Sequence, residues 1–252
     1  MAYPTTSTGK GFWFRLTVLF LKPPLTMFTK RDWQAGEHLP TTGGVIIAAN
    51  HTSYFDPLAV AHFLYAHGRF PRFLAKAGLF ANPLLGRVLR GAGQIPVYRH
   101  TSDAAGSLRD AAVAVRRGEC VVFYPEGTVT RDPALWPMTG KTGVARLALS
   151  TGAPVIPLAQ WGAQRVIPSG SFVPRLFPRK TMRIIAGPPV DLSAFSGQQI
   201  TRDLLCAATA VIMAEITTLL EKLRGEPASG KRIAAGNPDN ENDPRQRQGS
   251  PR

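Results

Sequence analysis

The run Val45-Ile-Ile-Ala-Ala-Asn-His-Thr-Ser-Tyr-Phe-Asp-Pro57 decides how the chain is to be read. Five apolar residues, Val45 to Ala49, follow a Gly43-Gly44 pair without any polar alternation. That is the pattern of a strand buried on both faces, as parallel strands under helices are. Polar residues carry the chain to Pro57, and a helix is predicted over residues 57–66. A strand (72–75), a short helix (84–90) and an extended run (94–98) follow. Ser102 is placed to cap a further helix that carries Leu108, Ala111, Ala112 and Val115 on one face and stops at Gly118. Residues 120–124 and 155–161 read as buried strands, and 183–186 as another. Leu204, Ala208, Val211, Ile212, Ile216, Leu219, Leu220 and Leu223 recur at helical spacing within 198–223. Strands alternating with helices predict an α/β fold: one domain, with a mixed, mostly parallel central sheet covered by helices.

The ends of the chain differ from this middle. Gly11-Phe-Trp-Phe-Arg-Leu-Thr-Val-Leu-Phe-Leu-Lys22 mixes aromatic, aliphatic and basic residues, and its uncharged core is too short to span a bilayer. Pro23 and Pro24 are expected to end any helix there. Two readings fit: an interfacial segment lying on a membrane, or a helix packed on the protein's own core. The eighteen uncharged residues 147–164 are broken by Gly152, Pro154, Pro157 and Gly162, and are expected to form loop, strand and turn. From Gly225 onward Gly, Pro, Asn, Asp, Gln and Arg dominate, a composition that buries too little to order itself. The expected organisation is a membrane-associating segment 1–31, a domain 32–224 and a disordered tail 225–252.

A length of 252 residues suffices for one domain with a large core. The formal charge is +14, and the last 28 residues hold five basic and four acidic groups, so +13 falls on the first 224. A body so basic fits a polyanion, an anionic membrane or a phosphorylated substrate. Nucleic acid fits poorly, because the cations are scattered among turns and no base-reading motif is present. Two cysteines, Cys120 and Cys206, exclude a disulfide scaffold, and no secretory signal is read. A reducing, cytoplasmic-side location is the expectation. His38, His62, His67 and His100 show no ligand spacing, so no metal is expected, and no cofactor.

Chemistry is concentrated where strands end. His51 and Asp56 sit between a strand and a helix, a common place for sites in α/β folds. An Asp56 carboxylate on one imidazole nitrogen would make the other a base for a hydroxyl proton. Ser53 has no G-x-S-x-G surroundings to make it a nucleophile. Residues 121–124 run into Pro125-Glu126-Gly127-Thr128, where Gly127 permits close approach and Thr128 with nearby amides can donate to phosphate oxygens. Lys76, Arg90 and Arg99 punctuate an apolar stretch, where cations are costly without an anion.

Four ordered blocks carry a resemblance. They are His51 to Asp56 in NHTSYFDP; Lys76, Leu79, Phe80, Pro83, Gly86 and Arg99; Tyr124-Pro-Glu-Gly-Thr128; and Pro154-Val-Ile-Pro157. Over residues 43–189 the chain resembles the glycerolipid acyltransferases of the 1-acylglycerol-3-phosphate acyltransferase family. The resemblance implies that His51, oriented by Asp56, is the general base. The acceptor hydroxyl attacks an acyl-CoA or acyl-carrier-protein thioester directly, giving phosphatidic acid at a membrane. Lys76, Arg99, Glu126, Gly127 and Thr128 are then the residues that hold the phosphate-bearing acceptor. Val129 stands where that family often has Arg, with Arg131 two residues on. Alternatives are acylation of another lysolipid or of glycerol 3-phosphate, a non-catalytic anionic-lipid-binding protein, and a hydrolase using the same histidine.

Overall fold

Strand β2 (Val45–Ala49) has all five residues buried and lies at the centre of a seven-stranded sheet. The computed structural model describes residues 12–98 and 104–228. On one side β2 pairs in parallel with β5 (Cys120–Phe123), then come β3 (Pro71–Lys76) and β4 (Ile95–Val97), also parallel. On the other side lies β6 (Val155–Trp161), again parallel. Strand β7 (Lys180–Ala186) is antiparallel to β6, and β1 (Thr29–Gln34) is parallel to β7. The order is β1-β7-β6-β2-β5-β3-β4.

Two apolar layers sandwich this sheet because strand side chains alternate. Val45, Ile47 and Ala49 meet Val60, Phe63 and Leu64 of helix α2 (Asp56–Ala66). Ile46 and Ala48 face the opposite layer. There Ala111 and Val115 of α4 (Ala104–Arg116), Val144 and Leu147 of α5 (Gly143–Thr151), and Ile212 and Ile216 of α6 (Arg202–Arg224) pack together. Burying each large side chain contributes roughly 1.5–3 kcal/mol. Helix α6 is long and apolar enough to cross a membrane by length and composition. Its Ile212, Met213, Ile216 and Leu220 are nevertheless wholly buried within the domain.

Four local expectations are corrected. Helix α1 (Phe12–Phe28) runs straight through Pro23 and Pro24. The carbonyls that lose their donors belong to Leu19 and Phe20, both exposed, where solvent can replace the missing N–H. Residues 147–151 are the end of α5 rather than loop, closed by Gly152 at φ 67°. Residues 29–34 form an edge strand, so the segment 1–31 reaches into the sheet. Helix α6 starts at Arg202, capped by the Thr201 hydroxyl accepting from the Leu204 amide at 3.2 Å. Ser102 and the tail from residue 229 lie outside the described residues.

Helix α1 packs along one side on α2 and on α3 (Pro83–Gly91). Its inner side puts Trp13 in the space that a Cβ on Gly91 would need, and Phe14 edge-on to Phe70 at 5.0 Å. Phe12, the Leu19-Phe20 pair and Met27, spaced about two turns apart, are exposed on one outer face.

Candidate active site

Because β2 and β5 are parallel neighbours, their carboxyl ends open at the same edge of the sheet, and loops 50–55 and 124–129 lie side by side. Asn50 extends β2 by one residue. Its Nδ2 donates to the Gln160 carbonyl at 3.1 Å, and its Oδ1 accepts from the Gln160 amide at 2.8 Å. This fixes where the next residue, His51, leaves the sheet.

Asp56 is the first residue of α2 and is fully buried. Its Oδ2 accepts from His51 Nδ1 at 2.8 Å, from the Thr52 amide at 2.6 Å and from the Ser53 amide at 2.9 Å. The Thr52 hydroxyl reaches Oδ1 at 3.4 Å and itself accepts from Gln160 Nε2 at 3.0 Å. A carboxylate accepts only, so Nδ1 carries the proton and Nε2 keeps a lone pair. Among the described residues nothing bonds Nε2. The Tyr124 ring lies flat on the imidazole, centroids 4.2 Å apart at 21°. The arrangement is that of a held, one-sided base.

Glu126 is bound inward. Its Oε1 accepts from the His51 amide at 2.9 Å and its Oε2 from the Met138 amide at 3.0 Å, with 2% of the residue exposed. Thr130 completes the clasp by donating its amide to the His51 carbonyl at 2.7 Å. The Glu126 carboxyl thus ties the second loop to the first, behind the surface a ligand would meet. Gly127 sits at φ 73°, and the Lys141 side chain passes 3.2 Å from where its Cβ would stand. Thr128 is half-buried beside it.

Burial pushes the Glu126 carboxyl from 4.5 up to about 8, against the two amides and with help from the Asp56 charge. The folded protein therefore binds this proton more tightly than the unfolded chain does. The stabilisation is full below about pH 4.5 and is lost as the pH rises through about 8. Glu126→Gln removes the titration, so the stability advantage of wild type over variant should shrink by a few kcal/mol between pH 5 and 8. Urea unfolding at both pH values measures it, and a gap that does not change with pH refutes the assignment.

The candidate nucleophiles are occupied or inert. Ser53 is buried, and its hydroxyl donates to the Ile167 carbonyl at 2.7 Å while accepting from the Phe55 amide at 3.0 Å. Cys120 is buried in β5, which raises its thiol to about 12. A hydrolase built on either side chain has no support here.

Lys76 ends β3, two strands from β2 at the same sheet edge, and is exposed without an ion pair among the described residues. Arg90 instead donates to the Phe80 carbonyl at 2.9 Å, a structural role. Arg99 lies outside the described residues. Arg131 is exposed, its amide on the Met138 sulfur at 3.4 Å. Asn50, Gln160 and Thr130 went unassigned in the sequence, because a lone amide or hydroxyl has no spacing that announces its partner.

Residues 31–161 match the model of the family described as Acyltransferase. The chain is 32% identical over 146 residues to the chloroplastic 1-acyl-sn-glycerol-3-phosphate acyltransferase of Brassica napus, covering 57% of this chain and 41% of that protein. It thus spans about two fifths of that relative's length. To the 1-acyl-sn-glycerol-3-phosphate acyltransferase of Salmonella typhimurium it is 26% identical over 192 residues, covering 75% and 74%. The crystal structure of the 1-acyl-sn-glycerophosphate (LPA) acyltransferase from Thermotoga maritima aligns with a TM-score of 0.63 at 24% identity, over 85% of this chain and 80% of that one. That last likeness is one of fold. The family match covers just over half the chain, takes in both strand-end loops, and ends at the last residue of β6: the chain belongs to the acyltransferase family.

Proposed function

We propose that this chain transfers a fatty acyl group from acyl-CoA or acyl-carrier protein to the sn-2 hydroxyl of 1-acylglycerol-3-phosphate, forming phosphatidic acid. The observation that carries the proposal is the His51–Asp56 pair at 2.8 Å with Nε2 unengaged. Nε2 takes the acceptor's hydroxyl proton as the oxygen attacks the thioester carbonyl. The C–S bond then breaks, and the proton passes from imidazolium to the departing thiolate. Asp56 stabilises the imidazolium in between. No acyl-enzyme is formed, in keeping with the bonded Ser53 and the buried Cys120.

Lys76, Arg99, Gly127 and Thr128 hold the acceptor phosphate in this reading, with Glu126 acting from behind to position the loop. The activity for which these relatives are named supports the choice of acceptor. The basic body suits an anionic acceptor, an anionic donor and the anionic cytoplasmic leaflet together. We place the protein on that face.

The test is incubation with long-chain acyl-CoA and lysophosphatidic acid, following free thiol and lipid product together. Matched release and phosphatidic acid support the reading. Product only with another lysolipid or with glycerol 3-phosphate moves the acceptor. Neither thiol nor lipid product with any donor or acceptor refutes acyl transfer. Lys76→Ala and Arg99→Ala should raise the KM for the acceptor about tenfold or more while sparing that for the donor. A donor-only effect reverses their assignment.

A further inference from the structure

The connection from β6 to β7, residues 162–179, exposes three large apolar side chains: Phe172 at 79%, Val173 at 71% and Phe177 at 75%. Clustered exposure of this kind marks an interaction surface. Around it Arg165, Arg175, Arg179 and Lys180 line one recess without a carboxylate, and among the described residues none of the four is in an ion pair, although Arg179 donates to the Thr26 and Thr29 carbonyls and Lys180 to that of Pro178. The sequence reinforces this. Between Asp132 and Asp191 there is no acidic residue, against seven Lys and Arg.

Two contacts locate the surface. Phe177 packs edge-on against Phe28, the last residue of α1, at 5.4 Å, so the loop adjoins the carboxyl end of that helix. Phe172 stacks on Tyr54 at 5.2 Å, and Ile167 holds the Ser53 hydroxyl, so the loop's root is bound to the loop that carries His51.

We infer that residues 162–180 form a docking surface for an anionic lipid bilayer. Phe172, Val173 and Phe177 enter the headgroup region, and Arg165, Arg175, Arg179 and Lys180 meet lipid phosphates. Apolar tips ringed by unpaired cations match a surface that is apolar within and anionic at its rim. Docked this way, the surface sets the His51 loop, joined to it through Tyr54 and Ser53, beside the bilayer. The inference uses the proposed acyl transfer only to say why that matters: the acceptor then arrives from the lipid phase.

The experiment uses the full chain with vesicles of phosphatidylcholine alone and of phosphatidylcholine mixed with phosphatidylglycerol. It compares wild type with Phe172→Ser/Phe177→Ser and with Arg165→Glu/Arg175→Glu. All four side chains are exposed, so unfolding midpoints should stay unchanged. Wild type should bind the anionic vesicles, less so as salt is raised. Each double variant should lower partitioning about tenfold or more. Turnover of a dispersed short-chain acceptor should persist while turnover of the vesicle-borne acceptor falls. Wild-type-like binding by either variant, or binding indifferent to anionic lipid, overturns the inference. An equal loss on both acceptors also overturns it, because that would put these residues in the substrate site. Absence of acyl transfer by wild type would refute the reaction, and the vesicle measurement would still decide the surface.

Discussion

His51→Ala is expected to lower the turnover number for acyl transfer by about 10²–10⁴-fold while leaving the fold intact, the usual worth of a positioned general base. The substitution removes the imidazole that, among the described residues, stands alone at the paired strand ends. The backbone that organises the site is untouched, because His51 holds Glu126 and Thr130 through its amide and carbonyl rather than its ring. What is lost is the contact with Tyr124 and one of several donors to Asp56, whose Oδ2 keeps the Thr52 and Ser53 amides. The KM for either substrate should move little, since the ring acts on a proton in flight. Partial recovery of turnover with added imidazole would mark the vacated space as the place of proton transfer. Turnover near wild type, with an unaltered melting curve, removes His51 from the mechanism.

Asp56→Asn is expected to cost about 10²–10⁴-fold in turnover with a modest loss of stability, and Asp56→Ala a similar activity with roughly 2–5 kcal/mol less stability. The difference follows from the hydrogen bonds. In the Asn variant the amide oxygen can still accept from His51 Nδ1 and the two backbone amides that Oδ2 now serves, and the amide NH₂ can face the Thr52 hydroxyl. The fold is kept, but the negative charge that balances the imidazolium is gone. In the Ala variant four donors, the His51 ring, the Thr52 and Ser53 amides and the Thr52 hydroxyl, lose their acceptor at a wholly buried position. Turnover and urea unfolding measured on the two proteins separate orientation from charge. An Asn variant with near-wild-type turnover would show that His51 works without the carboxylate charge.

The site was legible in the sequence to an unusual depth in one part and hardly at all in another. His51 and Asp56 were readable because a strand end, a five-residue spacing and a helix start bring them together by local geometry. Glu126 was legible as part of the second strand-end loop but not in its orientation. Which way a carboxyl turns depends on the amides of His51 and Met138, one 75 residues distant in sequence and the other 12. The roles of Asn50, Gln160 and Thr130 depend likewise on contacts across strands, where identity alone signals nothing. Val129, in a place where Arg was to be weighed, is buried among its neighbours and is apolar for that reason.

The sequence by itself determined the elements whose signal is local. Continuous apolar runs made β2, β5 and β6 readable, because strands buried on both faces need apolar residues throughout. Three-to-four spacing did the same for α4 and α6. Only the tertiary structure decided the rest. Strand β1 reads Thr-Lys-Arg-Asp-Trp-Gln, without any apolar pattern, and is a strand because β7, about 150 residues later, offers it a parallel partner at the sheet edge. The antiparallel turn of β7 against β6 is likewise a matter of pairing, which no window of adjacent residues contains. The last five residues of helix α5 were hidden in the start of an uncharged run whose glycines and prolines fall at the helix end and beyond. Helix α1 crosses two prolines because the carbonyls they strand are on an open face, and exposure is a property of the assembled protein rather than of the local chain.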